Sequence, residues 1–344
     1  MADRETTAHD FLAQCGWAGA DCWPLAGDAS FRHYQRLSLD GRRAVLMDAP
    51  PETEDVRPFA LIARHLLGLD LSAPEILAED AVNGFLLLED FGDDTFTRVL
   101  AQTPEAEAGL YELAVDVLAD LHRRPTADVV PRGLETYNDA KLLEEACLLT
   151  DWYLPAITGH NIDAAVRDGF IAAWRNGFAA VHGQPRTLVL RDYHVDNLIW
   201  LDGRKGIARC GLLDFQDAVA GPAAYDLMSL LEDARRNISA DLKRLMLARY
   251  AAAIPELARP GPDRDAFKTA FAVLAAQRHA KVIGIFTRLC LRDGKADYLI
   301  HIPRVWRLLE ASLGEPMLAP VAAWIDRHIP PDLRAASPGT EAAQ

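Results

Sequence analysis

Apolar positions in the first quarter of the chain fall in short alternating runs; beyond it they recur mostly at three- and four-residue steps. The first pattern suits half-buried strands and the second suits helices with one buried face. His9 to Trp17 predicts one amphipathic helix. Extended runs then flank Asp40-Gly41, a dipeptide that favours a two-residue hairpin because both residues tolerate positive φ. Ala44 to Asp48 reads as a strand, Phe59 to Leu67 as a helix, and Pro74–Leu77 and Gly84–Leu88 as two buried strands. After these, Thr103-Pro104 supplies a helix N-cap followed by proline at the first helical position. Leu110, Leu113, Ala114, Val117, Leu118 and Leu121 then line one face of a long helix that ends at His122. A charged helix at Lys141–Glu145 and a further one over Ile162–His182 follow. Arg278 to Lys295 keeps helical spacing, with Val282, Phe286 and Leu289 as its apolar stripe, although Gly284 and Gly294 weaken a continuous helix. Strands first and helices afterwards predict an α+β class. The expected division is a small β-rich lobe over 1–88, a connector at 89–93, a larger mostly helical lobe over 94–329, and a frayed tail at 330–344.

Composition narrows the partners more than the fold. Thirty-six Lys and Arg face 50 Asp and Glu, a net charge of −14, which argues against nucleic acid or an anionic membrane as the main partner. No apolar run approaches the roughly 18 residues needed to span a bilayer, and the charged start Met1-Ala2-Asp3-Arg4-Glu5 precedes no apolar leader segment. The five cysteines are scattered without paired spacing, so reduced thiols and a cytoplasmic location are expected.

Leu190 to Asp217 holds the densest chemistry. Asp192 is followed five residues later by Asn197, then by the apolar run Leu198–Leu201, a turn at Asp202-Gly203, and a second apolar run ending in Asp214-Phe215. Two strands joined by that turn would set Asn197 and Asp214 side by side, with Asp192 on the loop before them. Such a trio suits phosphoryl transfer, where one carboxylate accepts a hydroxyl proton while an amide oxygen and a second carboxylate hold Mg²⁺ over nucleotide phosphates.

At these residues the chain resembles the kinase-like phosphotransferases, in which a loop of H-R-D-x-x-x-x-N type precedes D-F-G. Leu190 stands in place of the His and Gln216 in place of the Gly. With Gly221-Pro222 and Ala223-Ala224-Tyr225-Asp226-Leu227 downstream, the chain looks less like protein kinases than like the aminoglycoside/choline phosphotransferase family. Met47 to Glu52, the stretch Gln277-Arg278 through Arg288-Leu289 to Lys295, and Pro303-Arg304-Val305-Trp306 are similar to one branch of it, the N-acetylmuramate/N-acetylglucosamine anomeric kinases.

The resemblance implies a protein-kinase-like two-lobe fold and ATP-dependent phosphorylation of the C1 hydroxyl of an amino sugar, in cell-wall recycling. It implies ATP as donor, Mg²⁺ as cofactor, Asp192 as catalytic base, Asn197 and Asp214 as metal ligands, and Asp226 as support for the catalytic loop. Gly27, Ala29, Ser30, Phe31 and Arg32 would form the phosphate loop, and Glu89 and Phe91 the connector against the base. Met47 occupies the strand position where such kinases carry a phosphate-pairing lysine, so Arg32 or Arg43 must replace that charge. For the sugar, Glu144, Asp151, Trp152, Tyr153 and His194 are the candidates, the aromatic pair serving either to stack on the ring or as core. Arg278 and Arg288, on a basic helix face, are either anion-capturing residues or a solvated surface. Partners are then an amino sugar and ATP, with no nucleic acid, no membrane and a monomeric chain. An aminoglycoside or other small-alcohol kinase, and a nucleotide-binding pseudokinase module lacking the strand lysine, remain as alternatives.

Overall fold

The computed structural model describes residues 2–25, 31–336 and 338. In chain order these form α1 (Ala2–Gln14), β1 (Asp21–Pro24), β2 (His33–Leu39), β3 (Arg42–Asp48), α2 (Val56–Gly68), β4 (Ile76–Asp80), β5 (Phe85–Leu88), α3 (Phe96–Gln102) and α4 (Glu107–Arg123). Next come α5 (Thr126–Val129), α6 (Asp139–Ala146), α7 (Leu154–Thr158), α8 (Ala164–His182), β6 (Arg186–Val189), β7 (Leu198–Trp200), β8 (Cys210–Leu212) and β9 (Val219–Pro222). Helices α9 (Ala224–Leu231), α10 (Ala240–Ala253), α11 (Pro262–Asp293), α12 (Ile302–Ser312), α13 (Ala319–His328) and α14 (Pro331–Arg334) complete the chain. Two compact units result, Met1–Val117 with Leu190–Ala218, and Leu118–Val189 with Val219–Gln344. Among the described residues no helix is long and apolar enough to cross a membrane.

The first unit is built on a five-stranded antiparallel sheet of order β1-β2-β3-β5-β4. Its β2–β3 hairpin turns at Asp40-Gly41, with φ of +50° and +76°, the backbone that a two-residue turn of matching twist requires. Alternation sends Leu37, Ala44, Leu46, Phe85 and Leu87 to one face, where Phe11, Leu12 and Trp17 cover them. Arg4 of α1 anchors there on Asp48. That helix starts nearer the N-terminus than the apolar spacing suggests and ends at Gln14, because Gly16 (φ +77°) turns the chain and returns Trp17 to the core. On the opposite face Tyr34 pairs with Met47 and Arg36 with Val45. β4 begins two residues later than Pro74, which has no N–H to give a ladder.

The second unit is organised by α11, 32 residues long. It runs unbroken through Gly284, the residue that weakened a continuous helix in the sequence, and Gly294 (φ +70°) caps its end in the left-handed conformation. Gly284 is there for space. A Cβ at this position would stand 2.2 Å from the backbone carbon of Leu148 and 2.3 Å from its oxygen, so the helix touches main chain directly. Around this contact sits a buried polar network, in which Lys281 donates to Glu145 at 2.9 Å, Gln277 donates to Glu145 at 3.1 Å, and the Tyr137 hydroxyl donates to the same carboxylate. Donors buried this way are tolerable because Lys281 Nζ, Gln277 Nε2 and the Tyr137 hydroxyl each reach an acceptor. At the start of the tail, Arg334 of α14 bonds Glu310 at 2.7 Å and Asp326 at 2.5 Å, so 331–334 is docked rather than frayed.

Replacing Gly284 with alanine sets a helix-propensity gain of about 1 kcal/mol against overpacking that costs about 1–3 kcal/mol or more. Backbone on the far side cannot yield, so overpacking wins. Gly284→Ala is expected to lower the melting temperature by several degrees in a thermal scan; an unchanged or raised value would show that α11 is free to shift.

Candidate active site

The segment Leu190–Ala218 belongs to the first unit and is pinned there at several points. The Tyr193 hydroxyl donates to the Ala114 carbonyl of α4 at 2.9 Å, Thr97 bonds Asp196, and the Thr97 amide donates to the Val195 carbonyl at 3.3 Å. Phe215 is fully buried with its ring 4.8 Å from that of Phe59 on α2. β7 and β8 pair antiparallel from Leu198↔Leu212 to Trp200↔Cys210, and the Leu213 amide adds a bond to the Asn197 carbonyl at 3.0 Å. The two apolar runs therefore end with Asn197 and Asp214 adjacent.

Asn197 connects the trio. Its Nδ2 donates to the Asp192 main-chain carbonyl at 2.9 Å and to Asp214 Oδ2 at 3.3 Å. Because a carbonyl can only accept, this bond fixes the amide orientation and leaves Oδ1 as the free oxygen. Asp214 Oδ1 accepts from Gln216 Nε2 at 2.9 Å, and the Arg32 guanidinium stands 3.6 Å from it. Arg191 and Asp214 both hold positive φ, +71° and +58°, a conformation disfavoured in non-glycine residues and concentrated at functional sites. His194 is buried, with Nε2 3.3 Å from Asn197 Nδ2 and Nδ1 3.8 Å from Asp196.

A cavity of about 220 Å³ is lined by Asn197 and Asp214, but not Asp192, together with the connector residues Glu89, Asp90, Phe91 and Gly92. Tyr34, Arg36 and Val45 form its sheet side. Met47 shares their face but is fully buried and does not reach the cavity lining. Arg43 is exposed, and its charge acts on Asp93. Phe31 is 66% exposed, its amide donating to Glu54 at 3.3 Å, while Gly27, Ala29 and Ser30 lie outside the described residues. The connector is held by two arginines that sequence reading passed over. Arg36 reaches Asp90 and Asp93, and Arg204 pairs with Glu89 and lies over the Phe91 ring at 5.1 Å.

The residues suggested for a sugar are in the second unit except His194, and most are already engaged. Tyr153 is fully buried, its hydroxyl donating to the Leu333 carbonyl at 3.2 Å and its ring against Trp306, so it presents no face for stacking. Trp152 is partly buried. Asp151 accepts two hydrogen bonds from Arg167, at 2.7 and 3.0 Å. Glu144 points outward; the inward carboxylate of α6 is its neighbour Glu145. Arg278 is buried and donates to the Tyr225 hydroxyl at 3.1 Å, Arg288 is partly buried, and Arg292 bonds Asp293. Arg278, Lys281 and Arg292 thus do not make one basic surface. Asp226 is buried in α9. His122 is a helix-end group whose Nδ1 lies 2.8 Å from the Tyr250 hydroxyl, and burial pushes its pKa down to about 3.

Comparison with known proteins gives the family and the fold. A protein from Caulobacter vibrioides named N-acetylmuramate/N-acetylglucosamine kinase is 36% identical, over 97% of this chain and 99% of its own length. A protein of the same name from Pseudomonas aeruginosa is 38% identical over 90% of this chain and 89% of its own. Among solved structures, a choline/ethanolamine kinase family protein from Mesorhizobium loti superposes with a TM-score of 0.61 at 16% identity, covering 94% of this chain and 99% of that one. The fold is protein-kinase-like, with a small antiparallel-sheet lobe and a larger helical lobe. The family model described as phosphotransferase enzyme family matches residues 21–267, and the chain belongs to that family.

Proposed function

We propose that this protein is a kinase that transfers the γ-phosphoryl group of ATP to the C1 hydroxyl of N-acetylmuramic acid and N-acetylglucosamine. The observation that carries the chemistry is the Asn197 amide, bonded to the Asp192 carbonyl and to Asp214 at the edge of the cavity. The choice of acceptor rests on the full-length relatives.

Asn197 Oδ1 and Asp214 would hold Mg²⁺. Both are oxygen donors, and no group of three acidic, His or Cys side chains that could cage a metal is found among the described residues. Two protein ligands fit an ion that keeps its remaining positions for water and phosphate. When bound, Mg²⁺ supplies positive charge to the phosphate oxygens. Asp192 orients the acceptor hydroxyl and takes its proton as the oxygen attacks phosphorus, while ADP leaves with the bridging oxygen and its electron pair. An anomeric hydroxyl is more acidic than an ordinary alcohol, so an ordinary carboxylate suffices. Most of the rate then comes from positioning and charge neutralisation. Arg32 takes over from the absent strand lysine, because its guanidinium already stands beside Asp214 whereas Arg43 lies toward Asp93.

ADP release measured across N-acetylmuramate, N-acetylglucosamine, choline and kanamycin, with the product position read by phosphorus NMR, tests the assignment. Turnover with the two amino sugars and a 1-phosphate product is expected; turnover only with choline or kanamycin, or with none, overturns it. Asp192→Ala is expected to lose on the order of 10²–10⁴ in kcat while keeping nucleotide affinity in a calorimetric titration. Arg32→Met should raise KM for ATP on the order of tenfold or more, the worth of a charge-assisted hydrogen bond, with KM for the sugar unchanged.

A further inference from the structure

Arg36 sits in the middle of β2, opposite Val45, on the sheet face that borders the cavity. It is only 6% exposed. Nη1 donates to Asp93 Oδ2 at 2.8 Å, Nη2 donates to Asp90 Oδ1 at 3.0 Å, and Nε stands 2.8 Å from Asp90 Oδ2. One guanidinium therefore grips two carboxylates of the connector, Asp90 and Asp93, while Glu89 is held by Arg204. Asp90 in turn accepts the Gly92 amide at 2.9 Å, and Gly92 has a φ of +81°. The Arg36 guanidinium also holds the Asp93 carboxyl below the usual carboxylate range.

Burying an arginine between two acids is a poor way to gain stability, since desolvation of the ions offsets most of their attraction. What the arrangement supplies is geometry, because a planar fork fixes two carboxylates at set distances and angles. The Glu89 amide is already spent on the Glu75 carbonyl at 2.8 Å, and the Gly92 amide on Asp90. The amides and carbonyls of Asp90 and Phe91 have no hydrogen-bond partner among the described residues, and both residues line the cavity. A bare donor–acceptor edge in a cavity suits the edge of a planar nitrogen heterocycle such as a nucleobase.

We infer that Arg36 is a positioning residue for the nucleotide, locking Asp90 and Asp93 so that the main chain of Asp90 and Phe91 is presented to the base. The inference rests on the reading that this cavity takes the base of ATP. Arg36 is not a substitute for the missing lysine, because its hydrogen bonds already go to the two acids.

The test compares wild type, Arg36→Lys, Arg36→Gln and Asp93→Asn by calorimetric titration with ATP and GTP and by steady-state kinetics. Lysine keeps the charge and loses the fork, so it serves if the glutamine variant fails to fold. Arg36→Lys is expected to raise Kd and KM for ATP on the order of 10- to 100-fold, to narrow the ratio between ATP and GTP, and to leave kcat at saturating ATP and KM for the sugar within about twofold of wild type. Asp93→Asn should give a smaller effect that does not add fully to that of Arg36→Lys. Unchanged ATP affinity and base preference in Arg36→Lys would overturn the inference, as would equal losses in kcat and in both KM values. Wild-type protein that binds no ATP would overturn the nucleotide reading itself, and the inference with it.

Discussion

One side-chain amide governs the arrangement of the site. Asn197 bonds the main chain of Asp192 on one side and the side chain of Asp214 on the other, at 2.9 and 3.3 Å. The loop carrying the proposed base and the turn carrying the proposed metal carboxylate are therefore set against each other by a single residue. Aspartate in its place would present a second negative charge to Asp214 and an acceptor to the Asp192 carbonyl, losing both bonds. The cost of this order is visible nearby in the left-handed backbone of Arg191 and Asp214, a strain of order 1–3 kcal/mol each that the surrounding contacts must sustain. Tyr193, Thr97 and the Phe59–Phe215 ring contact are those contacts.

Local rules made much of this readable in the sequence. Asp40-Gly41 announces its turn because few other dipeptides accept positive φ twice. The apolar face of α4 follows from its spacing, and all but one of the six positions read from it, Leu113, are buried. Spacing also brings Asn197 beside Asp214, since an antiparallel pair of strands must return to where it began. Sequence reading failed where a partner lies far along the chain. Nothing in α6 distinguishes exposed Glu144 from buried Glu145; the distinction is made by Lys281 and Gln277, more than 130 residues later. Partners of this kind, Glu145 for Lys281, Tyr225 for Arg278 and Asp293 for Arg292, explain why a run of basic residues at helical spacing is no basic surface. Arg36 likewise looks like an ordinary strand residue until Asp90 and Asp93 are placed around it.

Under the proposed function, the strand position held by Met47 carries no charge, and the cation must come from elsewhere in the fold. Met47 is fully buried and pairs with Tyr34, an apolar filling where a cation would need a counter-ion. The cation proposed in its place is Arg32, just before β2, whose guanidinium stands beside the Asp214 carboxylate. Arginines Arg36 and Arg204 hold the connector beside the cavity through Asp90, Asp93 and Glu89. A planar, permanently charged fork suits all three places better than a lysine ammonium, whose single point charge fixes distance but not angle.

The Gly284 contact has a bearing on how the larger unit can diverge. Where two helices meet through side chains, their separation drifts as those side chains are exchanged for bigger or smaller ones. Where a helix rests on bare peptide, as α11 does on Leu148, the separation is set by the van der Waals contact of main-chain atoms, which are the same whatever the side chains. The long helix thereby acts as a ruled baseline, and neighbouring surfaces can be re-tailored without moving the axis from which they are measured.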